Sequence, residues 1–458
     1  MASKWAGLAA LLAGFFVILL DATIVSVASP SIAKDLKPSV AGLFWVTAGY
    51  LLAFSVPLLV AGRLGDRYDP KRVFLVGMGG FAAASVLCGL APTVGWLIFF
   101  RIVQGLAAAT MGPQPMTLIR RLFAAEERGR AMGLWGTVSS AGALIGPILG
   151  GVLIAVLNWR WIFWVNVPVC VVAMVLGLRW IPSSRRQATA LDLFGALAST
   201  VGLGVLVWAL LAWPYSSALV LSAAAVVGAA LLVFFAFHER RMGPAALVVP
   251  ELYRSAGYLA ASGASAALGT AVTAMALPAM LYLQETRGLG PMESALVMTP
   301  DAVLATTLAP VAGRWIDRVG PRRPAILGMA LLVASLFLMG LVVVLNVDPL
   351  WAALAAVVLG VANATAWSPL SVAAMAAVAP ETAGAASGMF STVRQVSTVA
   401  GVAVVGAVLA GLRSSPKVAF SSSFALLTLI AVAGVFATTR LPLTSSRITS
   451  QPAGPDGE

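Results

Sequence analysis

An all-α integral membrane protein is the fold class that this sequence predicts, and three observations lead to it. Hydrophobic residues make up 60% of the 458 positions and charged residues only 10%, whereas soluble domains carry about 25% charged residues. The apolar residues form fourteen runs long enough to cross a bilayer as helices, since a spanning helix needs about 20 such residues. The third observation is an internal repeat, which divides the chain into two related parts.

Short loops separate the fourteen predicted spans. The spans cover roughly 6–28, 40–61, 73–92, 95–118, 131–156, 161–180, 191–212, 217–237, 257–283, 294–313, 324–346, 349–373, 384–411 and 418–438. The amino terminus resembles a signal peptide, but its apolar run is too long and contains Asp21. We therefore expect the first span to remain as an uncleaved membrane helix.

The basic residues predict the orientation of the chain. Lys and Arg number 21 on the side that holds both termini and 6 on the other side, with two more inside spans. By the positive-inside rule, both termini are expected in the cytoplasm, with the protein in the cell (plasma or inner) membrane. The basic residues lie in short clusters between apolar runs, which argues against a nucleic-acid partner despite the net charge of +12.

The internal repeat predicts two pseudo-symmetric halves. Residues 62–72 read GRLGDRYDPKR, and residues 313–323, at an offset of 251, read GRWIDRVGPRR. A fainter echo at an offset of 255 pairs Gly133 with Gly388 and Gly146 with Gly401. Both offsets skip eight helices, so two six-helix halves flank two inserted helices, a plan typical of secondary transporters. The predicted units are 1–186, the inserted pair with its cytoplasmic linker at 187–255, the second half at 256–440, and a disordered cytoplasmic tail at 441–458.

Three charged residues inside spans are predicted to couple transport to protons, namely Asp21, Arg101 and Asp301. Charges in a bilayer are costly and usually face a cavity where they serve function. Asp21 and Arg101 lie at similar depth in spans 1 and 4, so a carboxylate balanced by an arginine can load and release a proton. The alternative is an ion pair that only holds helices together. Asp301 is either a second proton site or a counter-charge for a cationic substrate, and the sequence leaves both open.

The two repeated loops predict a cytoplasmic gate. Their glycines permit close helix contact, and their aspartates can cap helices or pair with arginines, holding the inner helix ends together. The alternative is an ordinary pair of positive-inside loops, which the duplication disfavours. The predicted gate residues are Gly62, Arg63, Asp66, Arg67, Arg72, Gly313, Asp317 and Arg318.

A glycine-rich stretch in span 5 predicts a close helix contact and a kink. Gly142, Gly146 and Gly150 repeat every four residues and stack on one helix face, which lets a neighbouring backbone approach. Pro147 removes a helical hydrogen bond and is expected to bend the helix. Taken alone, the stripe is also compatible with ordinary packing in a membrane bundle.

These motifs together resemble those of the fourteen-helix drug:proton antiporters of the major facilitator superfamily. The resemblance extends through nearly the whole chain. It is carried by LDATIV at 20–25, by the loop at 62–72, by RIVQG at 101–105, by NWRWIF at 158–163 with NVP at 166–168, by the Arg394-Gln395 pair, and by the antiporter motif G-x8-G-x3-G-P-x2-G-G at Gly133, Gly142, Gly146, Pro147, Gly150 and Gly151.

The resemblance implies the major facilitator fold and a proton-coupled exporter of drug-like or other amphipathic small molecules, working by alternating access. The alternative is a proton-coupled metabolite transporter, either an importer or an exporter of one natural product or siderophore. A lipophilic cation is the favoured substrate because of Asp21 and Asp301. The substrate cavity is expected to be lined by Gln104, Gln114, Asn363, Trp367, Arg394 and Gln395.

No enzyme activity, metal or cofactor is expected beyond the proton motive force. The chain has one histidine and two cysteines, and they do not form a cluster with carboxylates in the sequence. The expected partners are the substrate, protons and the lipid bilayer, and the architecture is expected to function as a monomer.

Overall fold

The structure is a computed structural model that describes residues 2–38, 40–124, 127–183, 192–212, 216–242, 246–412 and 415–441. Every regular element in these ranges is helical. The predicted tail at 441–458 lies outside the described residues except for Leu441.

The helices follow one another with short connections. The first half contains α1 (Ala2–Leu36), α2 (Val40–Ser55), α3 (Leu58–Tyr68), α4 (Pro70–Gly89), α5 (Val94–Met111), α6 (Gln114–Leu122), α7 (Arg128–Val156), α8 (Trp161–Trp164) and α9 (Asn166–Trp180). The inserted pair is α10 (Leu193–Leu211) and α11 (Ala218–Met242). The second half contains α12 (Pro250–Arg254), α13 (Ala256–Ala274), α14 (Ala276–Leu281), the π-helix Tyr282–Thr286, α15 (Pro291–Val319), α16 (Arg322–Leu345), α17 (Leu350–Ala376), the 3₁₀ turn Pro380–Thr382, α18 (Ala383–Gly411) and α19 (Pro416–Thr439).

The number of membrane-spanning helices is confirmed only in part. Among the described residues, eleven helical segments are long and apolar enough to cross a membrane. The pair Trp45–Ser55 and Leu58–Tyr68, bent by 46°, raises the count to twelve. The two other predicted spans, 131–156 and 191–212, correspond to the helices α7 and α10. The all-helical membrane fold is thus established, while the count of fourteen is not confirmed.

The two halves pack their helices in matching ways. A Cβ added at Gly77 would lie 2.9 Å from the Met111 nitrogen, and one at Gly328, 251 residues later, would lie 2.7 Å from the Ala366 nitrogen. Gly105 and Gly360 are likewise 255 residues apart. Each of these two glycines closely approaches a backbone carbonyl of the helix beside it. Both sequence offsets therefore correspond to repeated helix contacts.

The two repeated loops turn through the same unusual backbone conformation. Asp69 has a φ of 83°, and Gly320, at the equivalent position of the second loop, has a φ of 78°. Side chains rarely adopt such angles, so glycine is the ordinary residue there. Asp69 is held by a hydrogen bond from the Lys71 nitrogen to its carboxylate, at 3.2 Å.

The inserted helices form a hairpin that packs against the second half and, through Trp45, against the first half. Gly202 of α10 and Gly228 of α11 allow the two backbones to touch, since a Cβ added at Gly228 would lie 3.0 Å from the Gly202 oxygen. Ala196 and Phe235 join the hydrophobic core of the second half. The outer face of α11 exposes large apolar side chains, including Leu219 and Phe237. The hairpin is therefore peripheral.

Candidate functional site

A buried polar network surrounds Asp21 inside the first half. Its Oδ1 accepts hydrogen bonds from Gln104 Nε2 and Asn166 Nδ2, both at 2.9 Å, and its Oδ2 forms an ion pair with Arg101 Nη1. Gln104 Nε2 also donates to Ser85 Oγ at 2.8 Å. All five side chains are fully buried. The network thus joins α1, α4, α5 and α9 around one carboxylate.

Arg101 is held by more than its ion pair. Its Nη1 donates to Gln104 Oε1 at 2.7 Å, and its Nε donates to the Val46 carbonyl at 3.1 Å. Its guanidinium carbon lies 4.0 Å from the centre of the Tyr50 ring, an arrangement that stabilises a cation. The Nη2 atom has no hydrogen-bond partner within the described part of the chain. Arg101 is therefore fixed by an amide, a carbonyl and an aromatic ring as well as by Asp21.

The repeated aspartates join the two halves to each other. Asp66 of α3 accepts hydrogen bonds from the Gly384 and Ala385 nitrogens at 2.9 and 2.8 Å, in the first turn of α18. Asp317 of α15 accepts from the Gly129 and Arg130 nitrogens at 2.7 and 3.0 Å, in the first turn of α7. A carboxylate at a helix N-terminus accepts hydrogen bonds from N–H groups that have no partner within the helix, and its negative charge interacts favourably with the helix dipole. We call these two contacts the interhalf lock.

Glycines bring the backbones of the interhalf lock together. A Cβ added at Gly62 would lie 2.9 Å from Gly388 Cα, and one added at Gly313 would lie 3.0 Å from Gly133 Cα. Either side chain would force the helices apart, because real Cβ atoms do not come that close to backbone. Gly62 pairs with Gly388 as Gly313 pairs with Gly133, so the lock is itself two-fold symmetric.

The other hydrogen bonds between the halves lie near the same helix ends. Ser368 Oγ donates to the Met132 carbonyl at 2.8 Å, and Arg120 Nη2 donates to the Val378 carbonyl at 3.1 Å. The Thr117 and Ser387 hydroxyls lie 3.5 Å apart. Within the described residues, the halves are thus hydrogen-bonded at the lock end and the structure is closed there.

The remaining predicted gate residues are the arginines of the two repeated loops. Arg63 is buried, and its Nη1 is 4.0 Å from Asp66 Oδ2. Arg67 lies over the Tyr68 ring, with 5.2 Å between the guanidinium carbon and the ring centre. Arg72 and Arg318 are exposed. The structure therefore brings the glycines and aspartates of the prediction together, and exposes two of the four arginines.

A second polar chain crosses the second half. Asn363 Nδ2 donates to Asp301 Oδ1 at 2.8 Å, and Trp367 Nε1 donates to Asn363 Oδ1 at 3.2 Å. The Arg394 guanidinium carbon lies 5.7 Å from the centre of the Trp367 ring. Four of the predicted residues, from α15, α17 and α18, thus form one continuous chain of contacts.

The three predicted glutamines occupy different places. Gln104 belongs to the buried network around Asp21, so in this conformation it does not line an open cavity. Gln114 is fully buried and donates to the Ala61 carbonyl at 2.8 Å, which ties α6 to α3. Gln395 is half-buried next to Arg394.

The glycine stripe of α7 packs on α1, the helix that carries Asp21. A Cβ added at Gly142 would lie 3.0 Å from Leu19 Cβ, and one at Gly146 would lie 3.1 Å from Thr23 Cβ. Gly151 has no atom within 4 Å of its added Cβ. The α7 helix runs without interruption from Arg128 to Val156. The Pro147 side chain lies outside the described residues, so the expected kink stays a prediction.

A cavity of about 550 Å³ opens between α13, α18 and α19. Its lining is apolar except for Thr270 and Ser397, which are hydrogen-bonded to each other through the Ser397 carbonyl at 2.8 Å. None of the predicted cavity residues belongs to its lining.

The family model of the Major Facilitator Superfamily matches residues 11–402 and 259–456. The chain belongs to this superfamily. Among solved structures, this facilitator resembles the proton:xylose symporter XylE bound to 6-bromo-6-deoxy-D-glucose, with a TM-score of 0.69 over 95% of both chains and 14% identity. That likeness shows the shared fold.

Several curated relatives of this facilitator align over most of the chain. It is 38% identical to an uncharacterized MFS-type transporter of Mycobacterium tuberculosis, covering 88% of this chain and 70% of the relative. It is 33% identical to the tetracenomycin C resistance and export protein of Streptomyces glaucescens, covering 89% and 76%. It is 34% identical to the multidrug resistance protein Stp of Mycobacterium tuberculosis, covering 87% and 74%.

The site of this facilitator includes residues that the sequence analysis did not select. Asn166, Ser85 and Tyr50 all contact members of the Asp21 network. Asn166 had a detectable signal, because it is an amide inside an apolar span. Ser85 and Tyr50 had none, since single Ser and Tyr residues are common in membrane helices.

Asp35, also missed, anchors the NWRWIF segment at the far end of α1. Its carboxylate accepts from Arg160 Nη1 at 2.6 Å and from Trp159 Nε1 at 2.9 Å. These hydrogen bonds lower the pKa of Asp35. The contact therefore stabilises the folded state at pH values above the pKa that Asp35 has in the unfolded chain. This stabilisation is lost as the pH falls through the lower pKa that Asp35 has in the folded protein. Because Asp35 is exposed, its contribution is about 0–1 kcal/mol.

Replacing Asn166 should weaken proton coupling. Asn166→Ala removes one of the two amide donors to Asp21 Oδ1, a loss of about 1–3 kcal/mol. We expect substrate-driven proton release in proteoliposomes to fall about tenfold, the factor given by about 1.4 kcal/mol. The matched control is Asn158→Ala, since Asn158 is exposed and its side chain accepts one hydrogen bond among the described contacts, from the Arg160 nitrogen. Equal loss in both variants would contradict the assignment.

Two glycines of one motif should respond differently to the same change. Gly146→Ala places a methyl group against Thr23, two residues from Asp21, whereas Gly151→Ala meets no atom within 4 Å. Overpacking of this kind costs about 1–3 kcal/mol. We expect Gly146→Ala to reduce efflux about tenfold or more, and Gly151→Ala to match the parent, measured as drug efflux from loaded cells at equal protein levels. Equal efflux in the two variants would show that the stripe does not hold α1 in place.

Proposed function

We propose that this protein is a proton-coupled exporter that moves drug-like or other amphipathic small molecules out of the cytoplasm by alternating access. The observation that carries this proposal is the buried network around Asp21. A single carboxylate is paired with Arg101 and bonded by two amides, with no exposure in this conformation. A membrane-embedded charge of this kind is typical of proton relays.

The proton would act through the contacts of Asp21. Protonation of Asp21 neutralises the carboxylate and so removes the ion pair with Arg101, while Oδ1 can still accept the two amide hydrogen bonds. The helices α1 and α5 then lose part of what holds them together, so the two protonation states favour different helix arrangements. This is the two-state element that alternating access requires.

Export, as the direction of transport, is supported by the names of the relatives. Two of the three relatives reported above are named for resistance, and one of them also for export. The interhalf lock supports the mechanism, since it closes one end of the molecule while leaving no hydrogen bond between the described halves at the other end. We propose that the lock end is cytoplasmic, in agreement with the 21 basic residues on that side.

We also propose the finer details of the architecture. The protein lies in the cell membrane with both termini in the cytoplasm and works as a monomer without a cofactor. Its spans number fourteen when α7 and α10 are added to the twelve that pass by length and composition. The halves are taken as 1–186 and 256–440, joined by the hairpin at 187–255.

The test is substrate-driven proton release in everted membrane vesicles. After a pH gradient is imposed, addition of a transported drug should release protons from vesicles that contain the protein, and not from vesicles without it. Cells that make the protein should also accumulate less of that drug. Accumulation driven into intact cells would contradict the proposal and favour an importer.

A narrower function, export of one dedicated natural product, is favoured by the relative named for tetracenomycin C. A susceptibility panel distinguishes the two. Protection against many unrelated compounds supports the broad exporter, and protection against a single structural class supports the dedicated one.

A further inference from the structure

Arg394 lies inside a predicted membrane span, and no acidic side chain among the described residues forms an ion pair with it. It lies near the middle of α18, and no ion pair or hydrogen bond of its guanidinium occurs within the described ranges. Its guanidinium carbon lies 5.7 Å from the centre of the Trp367 ring, a cation–π contact. By contrast, Arg101 in the first half has a carboxylate, an amide and a carbonyl as partners. Arg101 is fully buried with its charge paired, whereas Arg394 is half-buried and its guanidinium keeps N–H donors available for a ligand.

The nearest acid in the same polar chain is already engaged elsewhere. Asp301 Oδ1 accepts from Asn363, and the amide oxygen of Asn363 accepts from Trp367. Trp367 thus separates Asp301 from Arg394, and the two charges form no salt bridge in the described structure. A guanidinium presents five N–H donors in a planar fork, which suits a carboxylate or another planar acid.

The surroundings of Arg394 also fit an aromatic group. Gly269 of α13 packs closely against both side chains, since a Cβ added there would lie 2.8 Å from Thr398 Oγ1, 3.4 Å from Arg394 Cγ and 3.6 Å from Trp367 Cη2. Trp367 is half-buried, so part of its ring remains open for stacking. Small ligands in concave sites are commonly held by an aromatic wall and a few oriented polar groups.

We propose that Arg394 is the anion-binding residue of the transport cavity, and that the exported molecules include aromatic acids whose carboxylate or phenolate binds its guanidinium while the ring lies against Trp367. This inference rests on the proposed function and narrows its substrate class. It differs from the expectation of a cationic substrate, because Asp21 is already paired with Arg101, whereas Arg394 has no ion-pair partner among the described residues.

Equilibrium binding to the purified full-length protein tests this assignment. The probes are an anthracene carboxylate and the matching aminomethylanthracene, which share a ring and differ in the sign of their charge. We expect the parent protein to bind the carboxylate about tenfold more tightly, the factor given by about 1.4 kcal/mol. Arg394→Gln should remove that preference, and Arg394→Lys should keep most of it. Lys417→Gln, which removes an exposed cation, is the charge-matched control.

Each outcome decides the assignment. An unchanged carboxylate affinity in Arg394→Gln overturns it, and so does an equal loss for both probes, which would mean a structural role. If Arg394→Gln does not fold, the two affinities of the parent protein still test the proposal, because tighter binding of the amine than of the carboxylate overturns it. Binding does not require proton coupling, so a failure of drug-driven proton release would count against the exporter and not against this site.

A transport measurement adds a second, independent readout. Proton entry carries positive charge inward, and export of an anion carries negative charge outward. Both movements are favoured by an inside-negative potential, which should therefore accelerate export of the carboxylate. Export of the amine against one proton moves no net charge. In proteoliposomes with a potassium-diffusion potential, we expect stimulation of carboxylate export over amine export, and equal responses would contradict the proposal.

Discussion

Asp21→Asn is expected to abolish the coupling of transport to protons. Asparagine keeps hydrogen bonds to Gln104 and Asn166 but leaves Arg101 buried without its ion pair. Breaking a buried ion pair on one side costs about 3–5 kcal/mol. Substrate-driven proton release in proteoliposomes should fall about a hundredfold, the factor that about 3 kcal/mol gives.

The matched control for Asp21→Asn is Asp35→Asn. Both are aspartates of α1, but Asp35 is exposed and lies outside the network. We expect Asp35→Asn to retain coupling. If the ion pair only holds helices together, Asp21→Asn would lower the thermal stability of the protein. Each folded molecule would then still release as many protons per drug as the parent protein, and that result would show that Asp21 is not the proton site.

Gly62→Val is expected to prevent closure of the interhalf lock. Its side chain would collide with the backbone of α18 at Gly388 and would move Asp66 away from the amides that it caps. The lock-open conformation should then dominate, because only the closed conformation suffers the collision. Efflux from loaded cells should fall at least about tenfold, since a clash of about 1–3 kcal/mol acts on one state alone.

A cysteine at position 387 reports the state of the interhalf lock. Ser387 is fully buried in the closed structure, and its hydroxyl lies 3.5 Å from that of Thr117. Ser387→Cys should react slowly with a membrane-impermeant maleimide in everted vesicles and at least about tenfold faster when combined with Gly62→Val. The native Cys88 and Cys170 are both buried, which keeps the background low.

The control for the lock experiment is Gly406→Val. Gly406 lies on α18 and has no atom within 4 Å of an added Cβ, so efflux and labelling should match the parent. Loss of efflux without faster labelling in Gly62→Val would mean that the variant is defective for another reason. The labelling measurement therefore distinguishes an opened interhalf lock from a general folding defect.

The repeated loops illustrate how far sequence reasoning reached. The duplicated G-R-x-x-D-R pattern predicted that Gly62 and Gly313 permit close contact and that Asp66 and Asp317 hold helix ends together. The structure has these contacts, but each aspartate caps a helix of the opposite half. The sequence predicted the residue types, and it did not indicate which helix end each carboxylate meets, because that depends on how two halves of similar shape dock.

The Asp21 network shows the same division. A charge inside a hydrophobic run is visible in the sequence, so Asp21 and Arg101 were selected. Asn166 and Ser85 were not selected, because their role depends on the rotation of α9 and α4 about their axes. Hydropathy averaged along a helix identifies a membrane span, but it does not indicate which face of that helix packs against which neighbouring helix.

The sequence alone determined that the protein is helical, embedded in a membrane and internally duplicated, because hydropathy, charge placement and repeat spacing are properties of the chain itself. Only the tertiary structure decided the partners of each buried charge. Among the described residues, Asp21 contacts an arginine and two amides, whereas the Arg394 guanidinium contacts an aromatic ring. The physical reason is that an ion pair between two helices forms only when packing brings both side chains to the same depth and face.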